Sequence, residues 1–211
     1  MSSTENTQVK FSNRVIIKDT STGEVLVDKK NAIHPGNLAR VIARGLANED
    51  KHYIYKIALG NGGTYLDSAG VTKYQPPITV NSTAQLYNET YAELLTAENN
   101  SIHSEIPSDN NETALVSVTM IISSDEPGAS QWTTDSQGDG LLENPNSTDP
   151  AVNYVYNFDE LGLFSENFNY DPATNPAEPE FLLLTHLIFQ PIAKSQNREL
   201  ELTYLLTISV S

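Results

Sequence analysis

The 211-residue chain contains no cysteine. Thiol catalysis, iron-sulfur clusters and cysteine-based zinc sites are therefore excluded, and a disulfide-stapled secreted module is not expected. Long apolar runs are missing too. No stretch approaches the roughly 20 residues that cross a bilayer, and the opening Met1-Ser2-Ser3-Thr4-Glu5-Asn6 lacks the basic and apolar regions of a secretory signal. The expectation is a single soluble domain in a cytoplasm, in which Asn81, Asn88, Asn99, Asn111 and Asn146, each in an N-x-S/T pattern, are loop chemistry and not glycan acceptors. Positive charge is scarce and uneven. Residues 1–56 hold nine of the twelve Lys and Arg against six acids, while the remainder holds three bases against twenty-one acids, for a net charge of -15. Such a field repels nucleic acid and anionic membrane, so neither is expected as a partner. The asymmetry reads either as solubility or as a basic N-terminal part that meets an acidic face of a neighbouring subunit.

Catalytic signatures are also missing. There is no Gly-x-Ser-x-Gly elbow, and His34, His52, His103 and His186 share no ligand spacing. Gly60-Asn61-Gly62-Gly63 follows a strand as a phosphate loop would, but no Lys-Ser or Lys-Thr follows it. Asp159 and Glu160 are adjacent in a predicted strand, which would send them to opposite faces and spoil a glycosidase pair. One segment, Asp135-Ser136-Gln137-Gly138-Asp139-Gly140, mimics the first half of a calcium loop, with Asp135, Gln137 and Asp139 as the weak candidate ligands. Its second half fails, because Asn146 stands where a bidentate Glu is needed. No cofactor is expected.

Strand patterns dominate what is present. Phe11, Asn13, Val15 and Ile17 alternate with Ser12, Arg14, Ile16 and Lys18 and are followed, after Asp19-Thr20-Ser21-Thr22-Gly23, by Glu24 to Asp28, which predicts a hairpin. Pro35 opens a helix predicted to run to about residue 47, with Leu38, Val41, Ile42 and Leu46 as its apolar stripe and Gly45 as a weak point. Tyr53, Tyr55, Ile57 and Leu59 return to period two. Tyr87, Tyr91, Leu94 and Leu95 have the spacing of a short helical stripe, and insertions are predicted at about 99–112, 124–151 and 169–179. Ala114 to Ile122 alternates again. In the closing strand Leu200, Leu202, Tyr204, Leu206, Ile208 and Val210 share one face. The stretch 181–189 is apolar on both faces, with Phe181, Leu183, Leu187 and Phe189 on one of them. It is read either as a central sandwich strand or as a strand whose outer face another subunit covers, which makes those four interface candidates. The predicted architecture is mainly β: an antiparallel β-sandwich with one packed amphipathic helix and long surface loops.

Three separated segments, Ile57-Ala58-Leu59-Gly60-Asn61-Gly62-Gly63-Thr64, Glu160-Leu161-Gly162-Leu163-Phe164 and Phe189-Gln190-Pro191-Ile192-Ala193-Lys194, mark where strands meet tight turns or a proline break. In the first, Gly60, Gly62 and Gly63 form a structural turn, with a positive φ expected at Gly62 or Gly63. In order and spacing the three resemble a family of virion structural proteins of tailed bacteriophages, found in tail, collar, baseplate and fibre-attachment parts. The resemblance implies a non-enzymatic subunit that assembles in the host bacterial cytoplasm, resides in the virion and has copies of itself and other virion structural proteins as partners. A capsid decoration protein is the alternative within that class. The rival class is a host-receptor or glycan-binding module of a tail fibre, with Trp132, the only tryptophan, as stacking platform or interface anchor.

Overall fold

Period-two apolar patterning underlies most of the twelve strands found, with one helix, among the described residues. The computed structural model describes residues 8–49, 53–96, 99, 102–109, 112–126, 155–195 and 197–210. In chain order the elements are β1 (Val9–Asp19), β2 (Val25–Lys29), β3 (Ala32–Ile33), α1 (Pro35–Leu46), β4 (Ile54–Gly60), β5 (Thr64–Leu66), β6 (Thr72–Tyr74), β7 (Glu89–Leu94), β8 (Ile102–Asp109), β9 (Thr113–Ile122), β10 (Val155–Glu166), β11 (Phe181–Ser195) and β12 (Leu200–Val210). Two five-stranded antiparallel sheets form the β-sandwich, ordered β2-β1-β12-β9-β8 and β3-β11-β10-β4-β7, and β5 pairs with β6 in a separate hairpin. Val15, Val118, Met120, Leu202 and Tyr204 of the first sheet share one buried cluster with Ile57, Leu59, Phe158, Leu161 and Phe189 of the second. Burial of these apolar faces is the main driving term for the fold.

The second sheet is also covered on its outer side. Ala58, Phe164 and Leu183 pack there with Ala84 and Leu86, and Ile78 and Phe181 close the cluster. The cover comes from the irregular segment 75–88 of the same chain. This accounts for the doubly apolar β11, which lies between β3 and β10. A register irregularity opposite Leu163 and Phe164 switches the strand's facing, so Phe181 and Leu183 join the outer cluster while Leu187 and Phe189 enter the inter-sheet core. The four interface candidates therefore do not share a face. Leu183, Leu187 and Phe189 are buried inside their own chain, and no second subunit is required to cover them.

Three further expectations are corrected. Tyr87 to Leu95 is not helical, because β7 pairs with β4 and places Tyr91 in the core. The predicted insertion at 99–112 contains β8, an edge strand paired with β9. Helix α1 is present, but only Asn37 and Leu38 are buried in it, and Leu46, assigned to its packed stripe, is 86 % exposed. The insertion 169–179 is a turn-rich connection with one isolated bridge, Asp171 to Asn175. It is closed by Asn167, whose amide nitrogen Nδ2 donates to the Pro179 carbonyl at 2.7 Å.

Candidate functional site

The three glycine- and proline-marked segments meet at one junction, where β4 leaves the sheet and enters the β5–β6 hairpin. Glu160 is fully buried there. Its Oε1 accepts from the backbone N–H of Asn88 at 2.7 Å and of Gly62 at 3.1 Å, and its Oε2 accepts from the N–H of Tyr87 at 3.0 Å. His186 supplies the fourth contact, Nε2 to Oε2 at 3.0 Å. The histidine tautomer follows from its other nitrogen. Nδ1 accepts the Ile78 N–H at 2.9 Å, so the proton sits on Nε2 and is donated to Glu160. All four partners of the carboxylate are donors, the arrangement an ionised carboxylate takes.

Asp159 holds the next residues of the same turn. Gly63 N–H donates to its Oδ1 at 2.8 Å and Thr64 N–H to its Oδ2 at 2.9 Å, and the Thr64 hydroxyl also donates to Oδ2. Burial pushes the Asp159 carboxyl above its ordinary value, aided by the charge of Glu160 and opposed by the donors from Thr64 and Gly63. The expectation that adjacent carboxylates diverge is overturned by a register break. Phe158 pairs with Ile192 and Glu160 with Ile188, which leaves Asp159 opposite an irregularity that includes Pro191. Proline has no N–H to give the ladder and is placed at such breaks. Both carboxylates thus reach one turn, and both are occupied by donors from it.

The glycines serve this junction by size, not by φ. Among described glycines only Gly23 and Gly70 have positive φ, so the expected left-handed residue at Gly62 or Gly63 is not there. A Cβ on Gly62 would lie 2.6 Å from Tyr87 Cβ and 2.8 Å from Asn88 N, and one on Gly63 2.8 Å from the Asp159 carbonyl. One on Gly60 would meet the Asn88 carbonyl and lie 2.5 Å from Glu160 Oε1. At Gly162 a methyl would meet Phe164, Leu183 and Leu86 side chains within 2.9 Å. Close backbone approach is what excludes a side chain at these positions.

The same polar groups fasten segment 75–88 to the sheet. His34 caps α1 by accepting the Asn37 N–H at Nδ1 and donates from Nε2 to the Asn81 carbonyl at 3.0 Å. Asn37 donates to the Leu183 carbonyl at 3.0 Å and to that of Ser82 at 3.3 Å, and Gln85 donates to the Phe181 carbonyl at 3.0 Å. Buried Lys56 sits 4.4 Å from the Phe164 ring centroid and 4.5 Å from that of Phe181, and pairs with Glu89 at 2.9 Å. Lys194 is buried as well, donating to the carbonyls of Glu126 at 2.6 Å and Ser195 at 3.2 Å. Burial lowers its pKa to about 8.

Chemically this is a clamp. The sequence pointed to the glycines but not to Glu160, His186, His34 or Asn37 as their supports; the available signal was polar residues set inside apolar strand runs. Among the described residues no three His, Cys, Asp or Glu side chains converge as metal ligands, and His103 is exposed on β8. Trp132, Asp135, Gln137, Asp139 and His52 lie outside the described residues. No described helix is long and apolar enough to cross a membrane. Apolar surface stays open in several places among the described residues. One is a groove of about 540 Å³ between α1 and the start of β1, lined by Val9, Phe11, Ile33, Leu38, Ile42 and Leu46. Another is the clamped hairpin, with Tyr65, Leu66, Val71 and Tyr74 exposed. Compared with protein-family models, curated proteins and solved structures, the chain matches none of them.

Proposed function

We propose that the protein is a non-enzymatic structural subunit of a tailed-bacteriophage virion, tail, neck or baseplate associated, that acts by self-association and by docking to neighbouring virion proteins. The observation that carries this reading is the incompletely covered helix. A twelve-residue helix is marginal without tertiary cover for its apolar side, yet Ala39, Ala43 and Leu46 of α1 stay exposed along an apolar groove. A second copy is the occupant that the charge distribution favours. From Tyr74 to Ala193 the sequence has no Lys or Arg, whereas the N-terminal quarter is net basic, so one copy's N-terminal region is attracted to another's acidic remainder. In a symmetric assembly many such contacts act at high effective concentration, so each can be modest.

The test is light scattering on the native protein and on an Ala43→Glu/Leu46→Glu variant. Both positions are exposed, so the fold is preserved. The reading expects a native oligomer that the variant dissociates. A native monomer at all concentrations refutes self-association; an oligomer untouched by the variant refutes the groove.

A further inference from the structure

Segment 75–88 crosses the outer side of the second sheet without forming a strand of it, so side chains do much of its fastening. Two of these are buried histidines, His34 and His186. His186 of β11 accepts the Ile78 N–H at Nδ1, and His34, the cap of α1, accepts the Asn37 N–H at Nδ1 while its Nε2 reaches the Asn81 carbonyl. Glu160 holds the far end, at Tyr87 and Asn88. Asn81 sits at φ 76, in the left-handed region that is uncommon for residues other than glycine.

A ring nitrogen that accepts a backbone N–H carries no proton, so each imidazole makes this set of bonds only while it is neutral. Protonation reverses that role. Nδ1 becomes a donor and faces the N–H of Ile78, 2.9 Å away at His186, or that of Asn37, 3.2 Å away at His34. The His34 ring must then leave the place from which it reaches Asn81.

The surroundings of the two rings differ but lead to the same outcome. Glu160 of β10, 3.0 Å from His186 Nε2, stabilises an imidazolium there, so a proton that enters stays and Ile78 is released. Tyr87 lies beside that ring, 5.7 Å between centroids. Asp159 of β10 is occupied by Gly63 and Thr64, and Lys56 of β4 by Glu89 of β7. At His34 no charged side chain among the described residues is bonded to the ring, and the N-terminus of α1 disfavours a positive charge, so a protonated ring leaves the cap.

We infer that segment 75–88 is an acid-released strap, fastened through neutral His34 and His186 and let go when they take up protons. The fastened form binds fewer protons than the released one, so falling pH shifts the balance toward release. Release uncovers the apolar patch of Ala58, Phe164 and Leu183 that Ala84 and Leu86 cover.

Hydrogen exchange of the full chain, read by mass spectrometry and corrected for the intrinsic pH dependence of exchange, tests this between about pH 7.5 and about pH 5. In acid the amides of 75–88 should lose about tenfold or more of their protection while β9 and β12 keep theirs. In His34→Asn/His186→Asn, whose side-chain oxygens accept near the Nδ1 positions but do not titrate, protection should not change with pH. Imidazole nitrogen shifts of the native protein keep the test decisive where the double variant does not fold: both rings should carry their proton on Nε2 at the upper pH and be doubly protonated as the strap opens. Strap protection that is unchanged in acid, that falls only together with β9 and β12, or that falls as far in a folded double variant overturns the inference, as does opening while both rings stay neutral.

Discussion

Replacing Glu160 with glutamine changes one atom and almost no volume, so it separates a hydrogen-bonding role from a packing role. In the native junction each carboxylate oxygen accepts from two donors: Gly62 and Asn88 at Oε1, Tyr87 and His186 at Oε2. A glutamine must place its NH₂ at one of these positions, facing two N–H groups. If it faces His186, the imidazole can move its proton to Nδ1, but that proton then confronts the Ile78 N–H, whose acceptor is Nδ1. Either orientation leaves two buried donors unpaired. At about 1–3 kcal/mol for each buried group left unsatisfied, Glu160→Gln should destabilise the fold by about 2–6 kcal/mol. For a chain of this size that is a fall in Tm on the order of 5–20 °C. Urea unfolding followed by circular dichroism measures it, with Glu105→Gln on the exposed edge strand β8 as a control expected within about 0.5 kcal/mol of native. A Glu160→Gln protein as stable as the control would refute the clamp and reduce Glu160 to a space-filling residue.

Other outcomes follow from the same junction and its surroundings. Alanine at Gly60, Gly62 or Gly63 should destabilise by several kcal/mol because backbone atoms stand where the methyl must go, whereas Gly36→Ala, whose Cβ would meet only His34 at 3.7 Å, should be neutral or stabilising by up to about 1 kcal/mol; thermal melts of the four variants decide. Lys194, with a folded pKa of about 8 against 10.5 unfolded, binds fewer protons folded than unfolded between those values, so its contribution to stability rises with pH from about 8 to about 10. The native protein should gain about 1–2 kcal/mol on Lys194→Met between pH 7 and pH 9.5, read from paired urea titrations; a pH-independent difference contradicts the buried charge. Millimolar calcium is expected to leave Tm unchanged, and a saturable rise lost in Asp135→Ala/Asp139→Ala would instead assign that segment a cation.

The strands with one wet and one dry face were legible in the sequence. β12 alternates cleanly, and its partners β1 and β9 do the same. β8 was hidden because it is an edge with nearly every side chain exposed, so it carries no apolar period, and Pro107 within it reads as loop. Tyr87, Tyr91, Leu94 and Leu95 have helical spacing by coincidence, since Tyr87 belongs to segment 75–88 and Tyr91 to the core face of β7. The clamp was half visible. Glycines announce a close approach, but the groups that approach, Glu160 and His186, come from 98 and 124 positions beyond Gly62, and sequence spacing carries no trace of that meeting. The divergence expected of Asp159 and Glu160 assumed an unbroken ladder, which Pro191 on the neighbouring strand interrupts.

We propose that this chain works as a copy among copies through surface that its own fold leaves open. Sedimentation equilibrium on the native protein, from low to high micromolar concentration, tests it most directly. The expected result is a species whose mass is an integer multiple of the protomer and whose population rises with concentration. One protomer mass across the whole range would contradict it.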